Sequence, residues 1–319
     1  GMFIEHFQVT GIAVLQIFML SAIGFLLVRK RFLSGRGLDD LSRLVMDVSL
    51  PVLIFCQLIK DFSFCLYPNW WVFPLISIAI TVFGLVAGFL FVRFIDKEQE
   101  KLQFLSLVAF QNSGYLPLAL VAALFPAQSL GEIFIYLFLF LMGFNLVMFS
   151  LGVHILNFHK EKKIKLSSLL SMPVLATLLS LVIVYFGINK LFPDSLIKPL
   201  RILGDTTLPL AMIVVGGNLA QINLKAINKK AVILLILVKM IILPLSGILF
   251  LRVFNISGLL GLLILIQLAM PSAVTVSTIL RASNKEDILA SQGIFITHLA
   301  ALITVPAFLI LYFSNFMIK

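Results

Sequence analysis

Polar side chains are scarce inside the apolar stretches of this sequence, and the few present fall at spacings that could do chemistry. Gln111-Asn112-Ser113-Gly114-Tyr115-Leu116-Pro117 interrupts one stretch in its middle, and Gln267-Leu268-Ala269-Met270-Pro271-Ser272 interrupts another. Asn112 or Ser113 can cap a helix that restarts after the first interruption, and Pro271 suits the first turn of one restarting after the second. A restarted helix presents unpaired backbone N–H groups and the positive end of its dipole. Two such ends converging make an anion site without a buried Arg or Lys. The same residues could instead form two proline kinks whose amides are satisfied. On the first reading Gln111, Asn112, Ser113, Gly114, Pro271 and Ser272 hold a substrate.

A second set of residues could carry charge or relay a proton. Asp47 opens Asp47-Val48-Ser49-Leu50-Pro51, and Asp205 opens Asp205-Thr206-Thr207-Leu208-Pro209. Ionisable groups within a membrane span are costly and therefore functional candidates by default. Each aspartate could couple transport to a proton or cation, or simply bond a hydroxyl or a backbone group freed by its proline. Gln267 and His298 join them as coupling or polar-scaffold candidates; a mid-span histidine either relays protons or packs as a hydrogen-bonded side chain. Lys239, about two turns inside its stretch, reads as a snorkelling side chain or as one that meets the anion. Gly216-Gly217 reads as a close helix contact.

These residues need elements that hold them at membrane depth. Of 319 residues, 61% are hydrophobic and 12% charged, against about 25% charged in a soluble domain. Apolar runs fall near residues 7–28, 40–60, 70–93, 103–124, 131–157, 167–188, 197–221, 231–253, 257–280 and 288–315. Each can cross a hydrocarbon core about 30 Å thick. The expected fold is all-α integral membrane, with ten transmembrane helices.

The net charge of +10 does not call for nucleic acid. In alternate links stand Arg29, Lys30, Arg31, Arg36, Arg93, Lys97, Lys101, Lys160, Lys162, Lys163, Lys165, Lys225, Lys229, Lys230, Arg281 and Lys285. The other links and termini hold only Lys60, Lys190, Lys198, Arg201, Arg252 and Lys319. Because positive residues gather in cytoplasmic loops, both termini are expected outside the cytoplasm. Cys56 and Cys65 are expected to be free thiols.

The sequence also repeats. The D-x-[ST]-L-P pattern at Asp47 recurs at Asp205, 158 positions on, and Gly88-Phe89-Leu90-Phe91-Val92-Arg93 has its match 159 positions on in Gly247-Ile248-Leu249-Phe250-Leu251-Arg252. The repeat unit is five helices, 1–157 and 167–319. An odd count makes the second copy enter from the opposite face, so the ten helices form a 5+5 inverted repeat. Secondary carriers are built in this way, with sites near the midplane between repeats. There is no Walker loop, metal-ligand histidine spacing, nucleophile elbow or potassium-filter sequence, so no enzyme, metal or cofactor is expected.

The same residues resemble the auxin efflux carrier family. Leu41-Ser42-Arg43-Leu44-Val45 through Leu50-Pro51-Val52-Leu53-Ile54-Phe55 looks like the family's second helix, and Thr207-Leu208-Pro209-Leu210-Ala211 with Gly216 and Leu219 is similar to its seventh. Met270-Pro271-Ser272 through Ala290, Thr297 and Thr304-Val305-Pro306 resembles the last two. The resemblance implies a scaffold of helices 1, 2, 6 and 7 and a transport unit of helices 3–5 and 8–10. It further implies that helices 4 and 9 are broken and cross, and that substrate binds there during an elevator-type movement. It implies a homodimer as well. Asn112 matches the family's crossover asparagine and Pro271 its helix-9 proline. One departure stands out: Pro117 and Ala119 replace the family's glycine and proline in N-[ST]-G-x-x-G-x-P, which implies a break shifted by about half a turn.

The expected function is thus secondary transport of a small organic anion, a carboxylate, across a bacterial inner membrane. The alternatives are a sodium-coupled symporter of a larger amphipathic acid and a membrane sensor that has lost transport. Besides the anion, the expected partners are the lipid bilayer and a second copy of the chain.

Overall fold

Apolar chain in lipid can satisfy its backbone only internally, and among the described residues the computed structural model consists of helices and their links, with one short bridge described below. It describes residues 2–156, 169–224 and 227–316. Lys160, Lys162, Lys163, Lys165, Lys225, Lys319 and the expected start of the sixth span lie outside the described residues.

Along the chain run α1 (Met2–Arg29), α2 (Gly35–Leu44), α3 (Leu50–Asp61), α4 (Val72–Val92), α5 (Glu98–Ala109), α6 (Tyr115–Leu124), α7 (Leu130–Val147) and α8 (Val153–Leu156). After the undescribed link come α9 (Met172–Tyr185), α10 (Asp194–Asp205), α11 (Thr207–Ala220), α12 (Lys229–Leu235), α13 (Leu243–Val253), α14 (Gly258–Ala269), α15 (Thr275–Ala282) and α16 (Ile288–Phe316). Wider π-helical turns at Val45–Ser49, Met148–Gly152 and Ile236–Ile242 join α2 to α3, α7 to α8 and α12 to α13 without ending the helices.

Among the described residues, seven continuous helices are long and apolar enough to cross a membrane: Thr10–Arg29, Gly35–Asp61, Val72–Val92, Ala127–Leu156, Asp194–Ala220, Lys229–Val253 and Ile288–Phe316. Tyr115–Leu124, Met172–Tyr185 and Gly258–Ala269 are shorter apolar helices. Each of the ten apolar stretches read from the sequence therefore contains helix.

Small residues set which helices touch. A Cβ on Gly216 of α11 would lie 1.7 Å from the Ser21 carbonyl oxygen of α1, and one on Gly24 would lie 2.1 Å from that of Ile213. The α1–α11 contact is therefore backbone against backbone, as the Gly216-Gly217 pair led one to expect. Gly84 does the same for α4 against α5, where its Cβ would sit 2.8 Å from the Ala109 Cα. Gly143 brings α7 against α4 at Pro74 and Ser77. In lipid, where apolar surface gains nothing from meeting apolar surface, such close approaches are what hold helices together. α1, α3, α9, α10 and α11 pack largely on one another, as do α4, α5, α7, α13, α14 and α16; across the two groups α1 touches α16, and α3 and α9 touch α7, while α6 lies against α1, α11 and α7.

One end of the bundle gathers basic links. Lys230 pairs with Asp96 at 2.7 Å, Asn228 bonds Glu100, Gln103 donates to the Glu286 carbonyl at 2.9 Å, and Lys285 donates to the Leu156 carbonyl at 2.6 Å. The opposite end carries an aromatic cluster in which Phe73 stacks on Tyr136, with Tyr67 edge-on to Tyr136 and Phe64 edge-on to Trp70, as membrane interfaces favour. Cys56 is buried, Cys65 is exposed, and both are free.

Candidate functional site

The two polar interruptions meet. Residues 110–114 part α5 from α6, and residues 270–274 part α14 from α15. Gln111 and Ser272 face each other in an antiparallel bridge. Asn112 N–H donates to the Pro271 carbonyl at 2.8 Å, and Ala273 N–H donates to the Phe110 carbonyl at 3.0 Å. The two bonds flank the Gln111–Ser272 pair, the arrangement in which facing side chains lie closest. Phe110, Gln111, Asn112, Ser113, Met270, Ser272 and Ala273 are all buried, the condition for irregular backbone at membrane depth.

Each interruption has a local cause. Pro271 has no N–H and drives Met270 to extended backbone (φ −70°, ψ 145°). It was expected in the first turn of the restarting helix. It lies instead within the bridge, four residues ahead of Thr275, because its carbonyl is taken by Asn112 and an extended segment does not need its missing N–H. On the other strand, Asn112 Oδ1 accepts from Leu116 N–H at 3.4 Å. Asn112 thus caps α6 from two residues ahead of Gly114, the helix's own boundary residue. Pro117 stands third in α6, where a backbone N–H would have no intrahelical partner, so the helix begins undisturbed.

The last carbonyls of α5 are engaged mostly from the second half of the chain. The Ser106 carbonyl accepts from Phe110 N–H at 2.9 Å. That of Leu107 accepts from Ser272 Oγ at 2.8 Å, and that of Val108 from Lys239 Nζ at 2.9 Å. Lys239, read from the sequence chiefly as a snorkelling side chain, is therefore fully buried at the crossing. The π-helical turn Ile236–Ile242 that carries it is packed against α5, and this contact, which turns the side chain inward, is absent from the sequence. Gln267, also buried, accepts from Gln111 Nε2 at 3.4 Å and donates from Nε2 to the Ser113 carbonyl at 3.1 Å.

Helix α16 closes the site. Thr297 Oγ1 accepts from Ser272 N–H at 3.2 Å. His298 is fully buried, with Nδ1 2.8 Å from the Ile294 carbonyl and Nε2 3.4 Å from Asn112 Nδ2. These partners fit a neutral ring that carries its proton on Nδ1 and accepts from the asparagine amide. Three buried polar atoms around the first interruption have no partner among the described residues: Gln111 Oε1, Ser113 Oγ and the Tyr115 hydroxyl. Gly114, alongside, is half-buried.

The two aspartates stand outside this cluster and neither is buried. Asp47 lies in the π-helical turn Val45–Ser49. Asp205 pairs with Arg201 at 2.9 Å. Arg201 in turn donates to Gln57 Oε1 at 2.9 Å, and Gln57 bonds Asp61. Among the described residues no group of three or more His, Cys, Asp or Glu could hold a metal ion.

A cavity of about 740 Å³ lies elsewhere, between α1 and α16. Its walls, among them Val14, Leu302, Pro306 and Ile310, are apolar and suit a hydrocarbon chain, not an anion. A void of about 10 Å³ separates Ile17 and Phe18 of α1 from Leu120 and Met270 beside the crossing.

The family model described as membrane transport protein matches residues 9–168 and 158–309. The chain belongs to this family, that of the auxin efflux carriers. An uncharacterized transporter of Methanocaldococcus jannaschii is 27% identical over 92% of this chain and 95% of its own. The PIN-LIKES 7 protein of Arabidopsis thaliana is 23% identical over 86% of this chain and 90% of its own. The membership makes the chain a multi-pass membrane transporter, and its crossing the place to look for transport chemistry.

Proposed function

We propose that this transporter is a secondary carrier of a small organic anion, a carboxylate, and that the anion binds where the broken fourth and ninth spans cross. The observation that carries this reading is the set of unpartnered buried polar atoms beside the start of α6: Ser113 Oγ, the Tyr115 hydroxyl and Gln111 Oε1. The hydroxyls can donate to a carboxylate, the first-turn N–H groups of α6 add a positive dipole end, and the amide oxygen can accept from a hydroxyl of the same ligand. Asn112, Gly114, Pro271 and Ser272 shape the crossing, and Gln267 and His298 hold it.

In this reading the ten spans form the 5+5 inverted repeat. Spans 1, 2, 6 and 7 make a scaffold, as a homodimer, against which spans 3–5 and 8–10 slide as an elevator. The preferential packing within each helix group favours the division. Asp47, in its π-helical turn, and Asp205, in its ion pair, sit on the scaffold side as coupling or polar-scaffold residues. The basic end faces the cytoplasm of a bacterial inner membrane, with both termini outside.

Uptake of labelled mono- and dicarboxylates into proteoliposomes, with pH and sodium gradients varied separately, tests the proposal. A carboxylate should accumulate under at least one gradient. If none is moved or bound under any, the anion-carrier reading fails.

A further inference from the structure

Lys239 sits where nothing in the anion-carrier reading requires a cation. It is 1% exposed, yet none of the ion pairs among the described residues includes it. Its ammonium donates to the Val108 carbonyl, next to last in α5, at 2.9 Å. That end of a half-helix carries the negative pole of the dipole and carbonyls without helical partners. In carriers with broken helices, half-helix C-terminal ends are where a coupling cation is coordinated. The repeat supplies no second charge: 158 or 159 positions earlier stand Thr81 and Ile80, and Thr81 bonds within its own helix to the Ser77 carbonyl at 2.9 Å.

We propose that Lys239 is a resident cation of the crossing, its ammonium filling the position against the α5 carbonyls that a bound alkali-metal ion would otherwise take. The chain then needs no sodium to assemble its site. A lysine ammonium is a compact charge with three donors on a flexible stem, and the π-helical turn Ile236–Ile242 brings that stem inward. The inference rests on the carrier reading only in treating the crossing as the site, and its test needs no substrate, so the two can fail separately.

The test is thermal unfolding of the purified full-length protein in detergent, in sodium chloride and in N-methylglucamine chloride at equal ionic strength. The wild-type midpoint should be the same in both. Lys239→Ala should lower it by on the order of 5 °C, and sodium or ethylammonium, but not the bulky N-methylglucamine, should restore part of the loss. Lys239→Met, which keeps the stem and fills the space without charge, should be lowered and unrescued. A sodium-dependent rise in the wild-type midpoint overturns the proposal, as does a Lys239→Ala variant indifferent to every cation. Should Lys239→Ala not fold, Lys239→Met decides: a wild-type midpoint overturns the proposal, and a lowered one beside a sodium-indifferent wild type supports it.

Discussion

Asn112 is tied at three points, through its N–H to Pro271, its amide oxygen to Leu116 and its amide nitrogen to His298. Alanine keeps the first and removes the others, leaving the imidazole nitrogen and a helix N–H unpaired at about 1–3 kcal/mol. Asn112→Ala should therefore lower the thermal midpoint and reduce carboxylate uptake by about tenfold or more; unchanged uptake would place the site elsewhere. Ser113 and Tyr115 differ, because their hydroxyls have no partner to lose. Ser113→Ala and Tyr115→Phe should leave the midpoint unchanged or raise it while raising KM for the carried anion. Destabilisation with unchanged KM would mean that these hydroxyls serve the fold and not the ligand.

At the scale of elements, the prolines and glycines act by position. Pro117 lies in the first turn of α6, where a missing N–H costs little, so Pro117→Ala should shift stability by under about 1 kcal/mol, read as a midpoint change of a few degrees at most. Gly216 admits no side chain at all against Ser21. Gly216→Val would force α1 and α11 apart, costing roughly 3 kcal/mol or more, and should show as loss of folded protein in size-exclusion chromatography. Gly11, with open space around its Cα, should accept alanine without loss and is the natural control.

For the whole molecule, an elevator requires α1 to change its neighbours on α6 during each cycle. Ile17 and Leu120 line the same small void today. In a chain with Cys56 and Cys65 replaced, cysteines at these two positions should form a disulfide that stops uptake and releases it on reduction. Undiminished uptake with the bridge fully formed would show that α1 and α6 do not slide. The polar chain Asp205–Arg201–Gln57–Asp61 lies within α10 and α3. It belongs to the scaffold group and would stay intact while the other group slides.

What the sequence determined alone was the helical membrane character, through hydropathy, and the two places where helix must stop, since Pro271 and the Gln111–Gly114 cluster act on the chain locally. It marked Asn112, Gln267, Ser272 and His298 because polar groups in lipid must find partners, and all four did. It could not say where Pro271 would sit relative to α15, since that depended on which carbonyl Asn112 reached across 159 positions. Nor could it bury Lys239 or leave Asp47 and Asp205 at the surface. Burial of a charged side chain is set by which helix packs over it, and that packing rests on backbone contacts at Gly24 and Gly216 between helices far apart in the chain and at Gly84 between consecutive ones.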